Sequence, residues 1–335
     1  MKRMPQPIPY QGSKRNIAAQ ILSLLPGDID TLIEPFAGSA AISIRAAYAG
    51  LARSFHLNDL NRPLTDLLHL IVDEPDRIAS DYEHLWHQQL GREREFYDET
   101  RARFNTTKRP DLLLYLLARC VKASVRYNAA GEFNQSPDNR RKGRLPQSMR
   151  EDIHRVSRLL KGKTRITCCD FTATIDYLDP ATDLLYMDPP YQGTSNGRDA
   201  RYCSGVNLSS LIGFLAELNS LNAMFVLSYD GRKGSKTYGR RLPQELNLAH
   251  VMIEAGRSTQ STLLGRQDLT HESLYLSPAL LDRIEPAAER IEKLSNGAAS
   301  NAPMTTAPGI FESAVDRARP GPVRACLRSL RRPLG

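Results

Sequence analysis

The tightest constraint on the fold lies past the middle of the chain. A short apolar run, Leu184-Leu185-Tyr186-Met187, is entered through Asp183 and stopped by Asp188-Pro189-Pro190-Tyr191. Four apolar side chains between such boundaries are too few for a helix and read as a buried strand. Two successive prolines have no N–H to give to a ladder, so the chain leaves the sheet there. In open α/β sheets ligands sit beyond the carboxyl ends of the strands. Asp188 and Tyr191 then stand at a ligand edge, a carboxylate and a flat ring held by a stiff turn. Such a pair suits an amino-bearing heterocycle.

The rest of the chain supplies an α/β frame. Residues 31–33 read as a strand, Glu34-Pro35-Phe36-Ala37-Gly38-Ser39 as a turn and residues 40–48 as a helix. This is the opening unit of a nucleotide-binding sheet. A second strand, residues 54–57, ends in Asn58-Asp59. An acidic residue about twenty positions past the glycine turn is placed to bond a ribose hydroxyl. The turn has one glycine, however, and a pyrophosphate needs a second for close backbone approach. A nucleoside without phosphates fits better than a dinucleotide. Upstream, Tyr10-Gln11-Gly12-Ser13-Lys14 precedes a helical pattern over residues 16–25, with Ser13 in the capping position.

From residue 63 to about 163 the character changes to helices, expected over 64–72, 78–90, 93–104, 112–125 and 148–160. Among them lie a turn-rich stretch, residues 126–134, and a basic loop containing Arg140, Arg141, Lys142 and Arg144. A helical block with an exposed basic loop is suited to a phosphate backbone. Strands resume at 165–169, ending in Asp170-Phe171, and at 223–228 after a helix over 208–221. Two late runs, 248–253 and 272–276, are expected to close the sheet as an antiparallel pair. The polar stretch 192–205, with Arg198, Arg201 and Tyr202, reads as a lid, and residues 286–335 as a disordered tail.

Composition excludes several classes. Lys and Arg outnumber Asp and Glu by 45 to 37, a net charge of +8, which admits a polyanionic partner without requiring one. Five cysteines without a Cys-x-x-Cys pair indicate neither a disulfide framework nor a zinc site, so no metal is expected. No apolar stretch approaches the ~20 residues that cross a bilayer. A soluble, cytoplasmic protein is expected, with no membrane partner.

Taken together, the Tyr10 to Lys14 segment, the Glu34 to Ser39 turn, Asn58-Asp59, Asp170-Phe171 and Asp188-Pro189-Pro190-Tyr191 resemble the Dam-like (alpha-group) DNA adenine-N6 methyltransferases. Arg126-Tyr127-Asn128 and Gly131-Glu132-Phe133-Asn134 are similar to that family's DNA-contacting motif. The resemblance implies a Rossmann-like S-adenosylmethionine-dependent methyltransferase sheet with an inserted helical DNA-recognition domain. Residues 1–62 and 163–280 would be catalytic, and 63–162 would recognise the target. It implies that Tyr10, Lys14, Glu34, Phe36, Gly38, Asp59, Asp170 and Phe171 hold the cofactor. Asp188, Pro189, Pro190 and Tyr191 would grip an adenine flipped from duplex DNA. Lys122, Arg126, Asn128, Asn134 and the basic loop would contact the DNA.

Two departures qualify the resemblance. Ala40 stands where the family often has glycine, which reads as a small change in helix packing. Around Val121, Lys122 and Ser124 the chain differs from the GATC-methylating enzyme and keeps only the arginine at Arg126. A target other than GATC is expected, with Arg126 reading a guanine. The resemblance leaves open a restriction–modification system, with its endonuclease partner, or a stand-alone enzyme. Rival readings keep the fold but move the methyl to an RNA adenine or a protein amide, or make the chain a silent DNA-binding module. Asp rather than Asn or Ser before Pro189 favours adenine, and intact catalytic residues disfavour silence.

Overall fold

The computed structural model describes residues 3–190, 206–233, 236–237, 242–257 and 269–284. Its strands are β1 (Ile29–Glu34), β2 (Ala52–Asn58), β3 (Thr164–Thr167), β4 (Leu184–Met187), β5 (Met224–Lys233), β6 (Lys236–Thr237), β7 (Ala249–Arg257) and β8 (Leu269–Leu276). Seven of them lie in the order β3-β2-β1-β4-β5-β8-β7, and the short β6 pairs with β5. The five from β3 to β5 are mutually parallel. β8 runs antiparallel to both β5 and β7, the antiparallel closure expected from the late apolar runs. This is a Rossmann-like sheet. Its strand order reverses between β1 and β4, the switch point where such sheets open a crevice.

The helices are α1 (Ala18–Leu22), α2 (Ala41–Ala49), α3 (Arg62–Asp73), α4 (Pro75–Gln88), α5 (Glu93–Thr107), α6 (Pro110–Arg119), α7 (Pro146–Leu160), α8 (Leu208–Ser220) and α9 (Pro278–Arg283). Pro75, Pro110, Pro146 and Pro278 each open a helix, where the missing N–H costs nothing. The central strands are buried on both faces by alternation. Leu184 and Tyr186 join one apolar cluster, which runs on into α2 and the helices α3 to α7. Leu185 and Met187 join a second, with Phe171 and the Leu211, Phe214 and Leu215 face of α8. The inserted helices therefore extend the core of the sheet. α6 is buried all round from Asp111 to Leu117, as an apolar helix inside a bundle must be.

Two helices are shorter than the periodicity predicts. The pattern expected over 112–125 ends at Arg119, where Cys120 turns extended and Lys122 and Ala123 take left-handed backbone angles. Val121 and Val125 keep the helical spacing, but the Val121 N–H bonds the Ser136 carbonyl, across from the segment 126–134. At the other end only Ala18–Leu22 is α-helical, preceded by a 3₁₀ turn and closed by tight bonds from Leu24 and Leu25 before Pro26. Ser13 does not cap it; its hydroxyl accepts from Ser39 at 3.2 Å. The lid expected at 192–205 and the tail from 286 lie outside the described residues. No described helix is long and apolar enough to cross a membrane.

Candidate active site

The switch point is built from three strand ends. Asn58, fully buried at the end of β2, ties them together. Its amide donates to the carbonyls of Pro35 and Cys169, and its Oδ1 accepts from Thr167 Oγ1 and Cys169 N. The turns after β1, β2 and β3 are thereby fixed against one another. Between them and the end of β4 opens a cavity of about 470 Å³, a size suited to a nucleoside-like ligand.

Tyr10, Lys14, Glu34, Phe36, Gly38, Asp59, Asp170, Phe171, Asp188, Pro189 and Pro190 all line this one cavity. Tyr191 lies outside the described residues. The Gly38 turn is held by Asp59, whose Oδ2 accepts the Gly38 N–H at 2.9 Å and whose Oδ1 accepts that of Asn61. Burial pushes the Asp59 carboxyl above its ordinary value, against these two hydrogen bonds. Each oxygen keeps a second lone pair for a hydroxyl. Gly38 has φ +51, and a methyl group there would meet the Tyr10 ring at 3.3 Å. Ala40 shares that left-handed conformation at φ +53. What matters at Ala40 is therefore its backbone angle, rather than the packing change read from the sequence.

Phe36 and Phe171 form an apolar wall, their centroids 5.1 Å apart and planes tilted by 31°, with Phe214 behind Phe171 at a right angle. Asp170 Oδ1 accepts from Thr172 N and Oγ1, starting the short 3₁₀ helix that carries Phe171. Glu34 is buried and accepts the Ser43 N–H at 2.8 Å, a carboxylate at the first turn of α2. Burial, opposed by Ser43 and helped by Asp188, pushes its carboxyl up to about 7.

The edge of the cavity beyond β4 is a chain of charges. Lys14 Nζ donates to Asp188 Oδ1 at 2.8 Å and pairs with Glu272 Oε1 at 3.1 Å. Glu272 Oε1 also accepts from Ser228 Oγ at 2.7 Å. Asp188 is driven up to about 6 by burial, held back by Lys14 and raised further by Glu272. Glu272 and Ser228 were not among the residues singled out by sequence reasoning. Neither belongs to a motif, and only the sheet pairing brings them to Lys14.

The residues expected to touch DNA divide into two groups. Arg126, Asn128 and Asn134 lie on a small hairpin closed by the Tyr127–Phe133 bridge. Tyr127 and Phe133 point into the core, so alternation turns Arg126, Asn128 and Asn134 the other way. Asn128 braces the hairpin turn, its Oδ1 accepting from Ala130 N and Glu132 N. Lys122 is exposed on the loop before it, and Val125, at the hairpin root, lines the cavity. In the basic loop Arg140 is exposed, Arg141 pairs with Asp138, and Lys142 pairs with Glu93. Arg144 differs: it is 20% exposed and pairs at 2.7 Å with buried Asp152 of α7 while donating to the Gln6 carbonyl.

Comparison with known proteins bears on the family. The chain is 30% identical over 200 residues to the type II methyltransferase M.MjaIII of Methanocaldococcus jannaschii, covering 55% of this chain and 68% of that protein. It is 29% identical over 194 residues to the retron Ec67 DNA adenine methylase of Escherichia coli, covering 56% and 64% respectively. Against the modification methylase StsI of Streptococcus sanguinis it is 26% identical over 243 residues, 68% of this chain but 35% of that protein. The match thus spans about a third of the StsI methylase. A solved rRNA methyltransferase, AviRa of Streptomyces viridochromogenes, superposes with a TM-score of 0.37 at 15% identity, covering 80% of this chain and 86% of that one. A likeness that distant adds nothing to the topology. Residues 10–252 match a defined family, and they hold the whole cavity described above. The chain belongs to the D12 class N6 adenine-specific DNA methyltransferases.

Proposed function

We propose that this chain methylates the 6-amino nitrogen of adenine in duplex DNA, taking the methyl group from S-adenosylmethionine. It would do so with a cognate restriction endonuclease or alone. The observation that carries the reading is that one cavity holds both a nucleoside cradle and the Asp188-Pro189 acceptor pair. The chemistry of its lining suits the donor. Among the described residues four carboxyl groups (Glu34, Asp59, Asp170 and Asp188) line it, with one lysine, Lys14, and no arginine. That balance favours a cationic ligand and disfavours a pyrophosphate. Asp59 would hold the ribose hydroxyls, Phe36 and Phe171 would pack on the adenine, and Asp170 would meet its edge.

Bound there, the donor would supply an electrophilic methyl on a positively charged sulfur. The protein's part is to make a poor nucleophile available. An adenine amino lone pair is delocalised into its ring. Hydrogen bonds from its two protons to the Asp188 carboxylate and the Pro189 carbonyl favour a pyramidal nitrogen with the pair directed at the methyl. Lys14 donates to Asp188 Oδ1, and Asp188 lines the cavity, so Oδ2 would be the oxygen offered to the amino group. As nitrogen formed its new bond to carbon, the carbon–sulfur bond would break with its electron pair left on a neutral sulfur, and the nitrogen would shed one proton, which Asp188 would be placed to accept. The target must leave the helix first, at a cost of a few kcal/mol. On this reading residues 1–62 and 163–280 form the catalytic unit. The insert 63–162 holds the duplex, with Arg126 reading a guanine and the basic loop on phosphates. Tyr191 would stack on the flipped base.

Incubation with labelled donor and duplex DNA, RNA or protein separates the readings, since only DNA adenine should take up label. Asp188→Ala should lower transfer about a thousandfold while calorimetry still detects donor binding. Label in RNA or protein alone would overturn the assignment.

A further inference from the structure

The family match ends at residue 252, yet a carboxylate beyond it reaches the reactive edge. Glu272 lies on β8 and is 9% exposed. It is not among the described residues that line the cavity, and Lys14 bridges it to Asp188. The position is constructed by a bulge. Ser228 pairs with Leu274, so an unbroken antiparallel ladder would set Asp230 opposite Glu272; instead the register slips and Gly231 takes that place. A bulge bends its strand and re-aims side chains. Here the slip sets Gly231 opposite Glu272, and the glutamate meets Ser228 and Lys14.

One ammonium group thus bridges two carboxylates, and the Ser228 hydroxyl fixes the outer one. With Glu272 absent, Lys14 would neutralise Asp188 alone and draw electron density from the acceptor the reaction needs. We propose that Glu272 is a positioning residue for methyl transfer. Anchored by Ser228, it holds Lys14 in place and offsets its charge, so that Asp188 stays oriented and a strong acceptor for the adenine amino protons. This rests on the function proposed above. The charged groups that face Asp188 among the described residues are Lys14, Glu272 and, across the cavity from the end of β1, Glu34. Glu272 raises the Asp188 carboxyl and Lys14 lowers it, so removing the glutamate charge should lower its titration.

The test is Glu272→Gln, which keeps an oxygen for Lys14 and Ser228 but removes the charge. Carbon-13 NMR of the carboxyl groups, with Asp188→Asn to identify the resonance, should show Asp188 titrating about one pH unit lower. The acid limb of kcat against pH should move the same way. At neutral pH kcat should fall about tenfold, with KM for DNA and calorimetric donor affinity unchanged. An unmoved Asp188 midpoint, or loss of kcat only alongside loss of donor binding or of the folded state, would overturn the proposal. A wild-type protein inert on every duplex would sink the function above, and the Asp188 midpoint would still decide whether Glu272 governs it.

Discussion

The cleft and the basic loop both carry clustered charge, but they hold it in opposite ways. In the cleft Lys14, Glu34 and Glu272 are buried, and Asp188 is largely so, each fixed by named partners at 2.7–3.1 Å. In the loop Arg141 and Lys142 pair with Asp138 and Glu93 at the surface. Taking a charge out of water costs far more than pairing it at a surface returns. The cleft accordingly stores free energy in ionisable groups, which chemistry can use. The loop stores almost none, and its charges stay available to a partner.

Glu34 gives the largest test of that contrast. Its carboxyl stands near 7 in the folded protein against an ordinary 4.5. A raised carboxyl stabilises the fold while protonated, fully so below about pH 4.5, and that contribution is lost as pH rises through about 7. At pH 8 the ionised group therefore costs about 3 kcal/mol. Glu34→Gln should match wild type near pH 4.5 and exceed it by up to that amount at pH 8. The amide oxygen would still accept the Ser43 N–H. Denaturant midpoints at the two pH values check it, and parallel pH curves would show that the buried charge stores nothing.

The loop splits under the same test. Arg144 ends among buried groups, on Asp152 and the Gln6 carbonyl, so Arg144→Ala should lower stability by about 2 kcal/mol. Replacing Arg140, Arg141 and Lys142 together by alanine should leave stability within about 1 kcal/mol. Instead it should flatten the salt dependence of DNA binding, by a slope of about 0.9 for each phosphate no longer neutralised. Equal salt slopes for wild type and the triple variant would remove this part of the loop from the interface.

Which of these features could be read in the sequence follows from how local their causes are. Asp188-Pro189-Pro190 was legible because two prolines end a strand wherever they occur. The Gly38 turn and Asp59 were legible because strand, turn and helix are contiguous. Arg144 looked like its neighbours, since nothing near it in the chain marks Asp152 as its partner. The helix expected through residue 125 failed because Val121 and Val125 keep the period while Lys122 reverses the backbone. Glu272 could not have been found. Its role depends on a one-residue slip between β5 and β8 and on a lysine from the opposite end of the chain.

The smallest effect separates backbone from side-chain packing within the turn itself. Gly38 and Ala40 share a left-handed conformation, at φ +51 and +53. The chain tolerates a Cβ at Ala40, where the N–H bonds the Ala37 carbonyl at 2.7 Å and the carbonyl accepts from Ile44 at 2.9 Å. For an L-residue that conformation costs about 1–2 kcal/mol, and losing a buried methyl costs nearly as much. Ala40→Gly should thus change stability by only a few tenths of a kcal/mol. Gly38→Ala brings the same backbone strain plus a methyl group 3.3 Å from the Tyr10 ring, which must move by a few tenths of an ångström. It should cost about 1 kcal/mol, and because Tyr10 lines the cavity it should weaken donor binding as well. Equal effects of the two substitutions on donor affinity would mean that the tyrosine ring, and with it the single-glycine cradle, contributes nothing to holding the ligand.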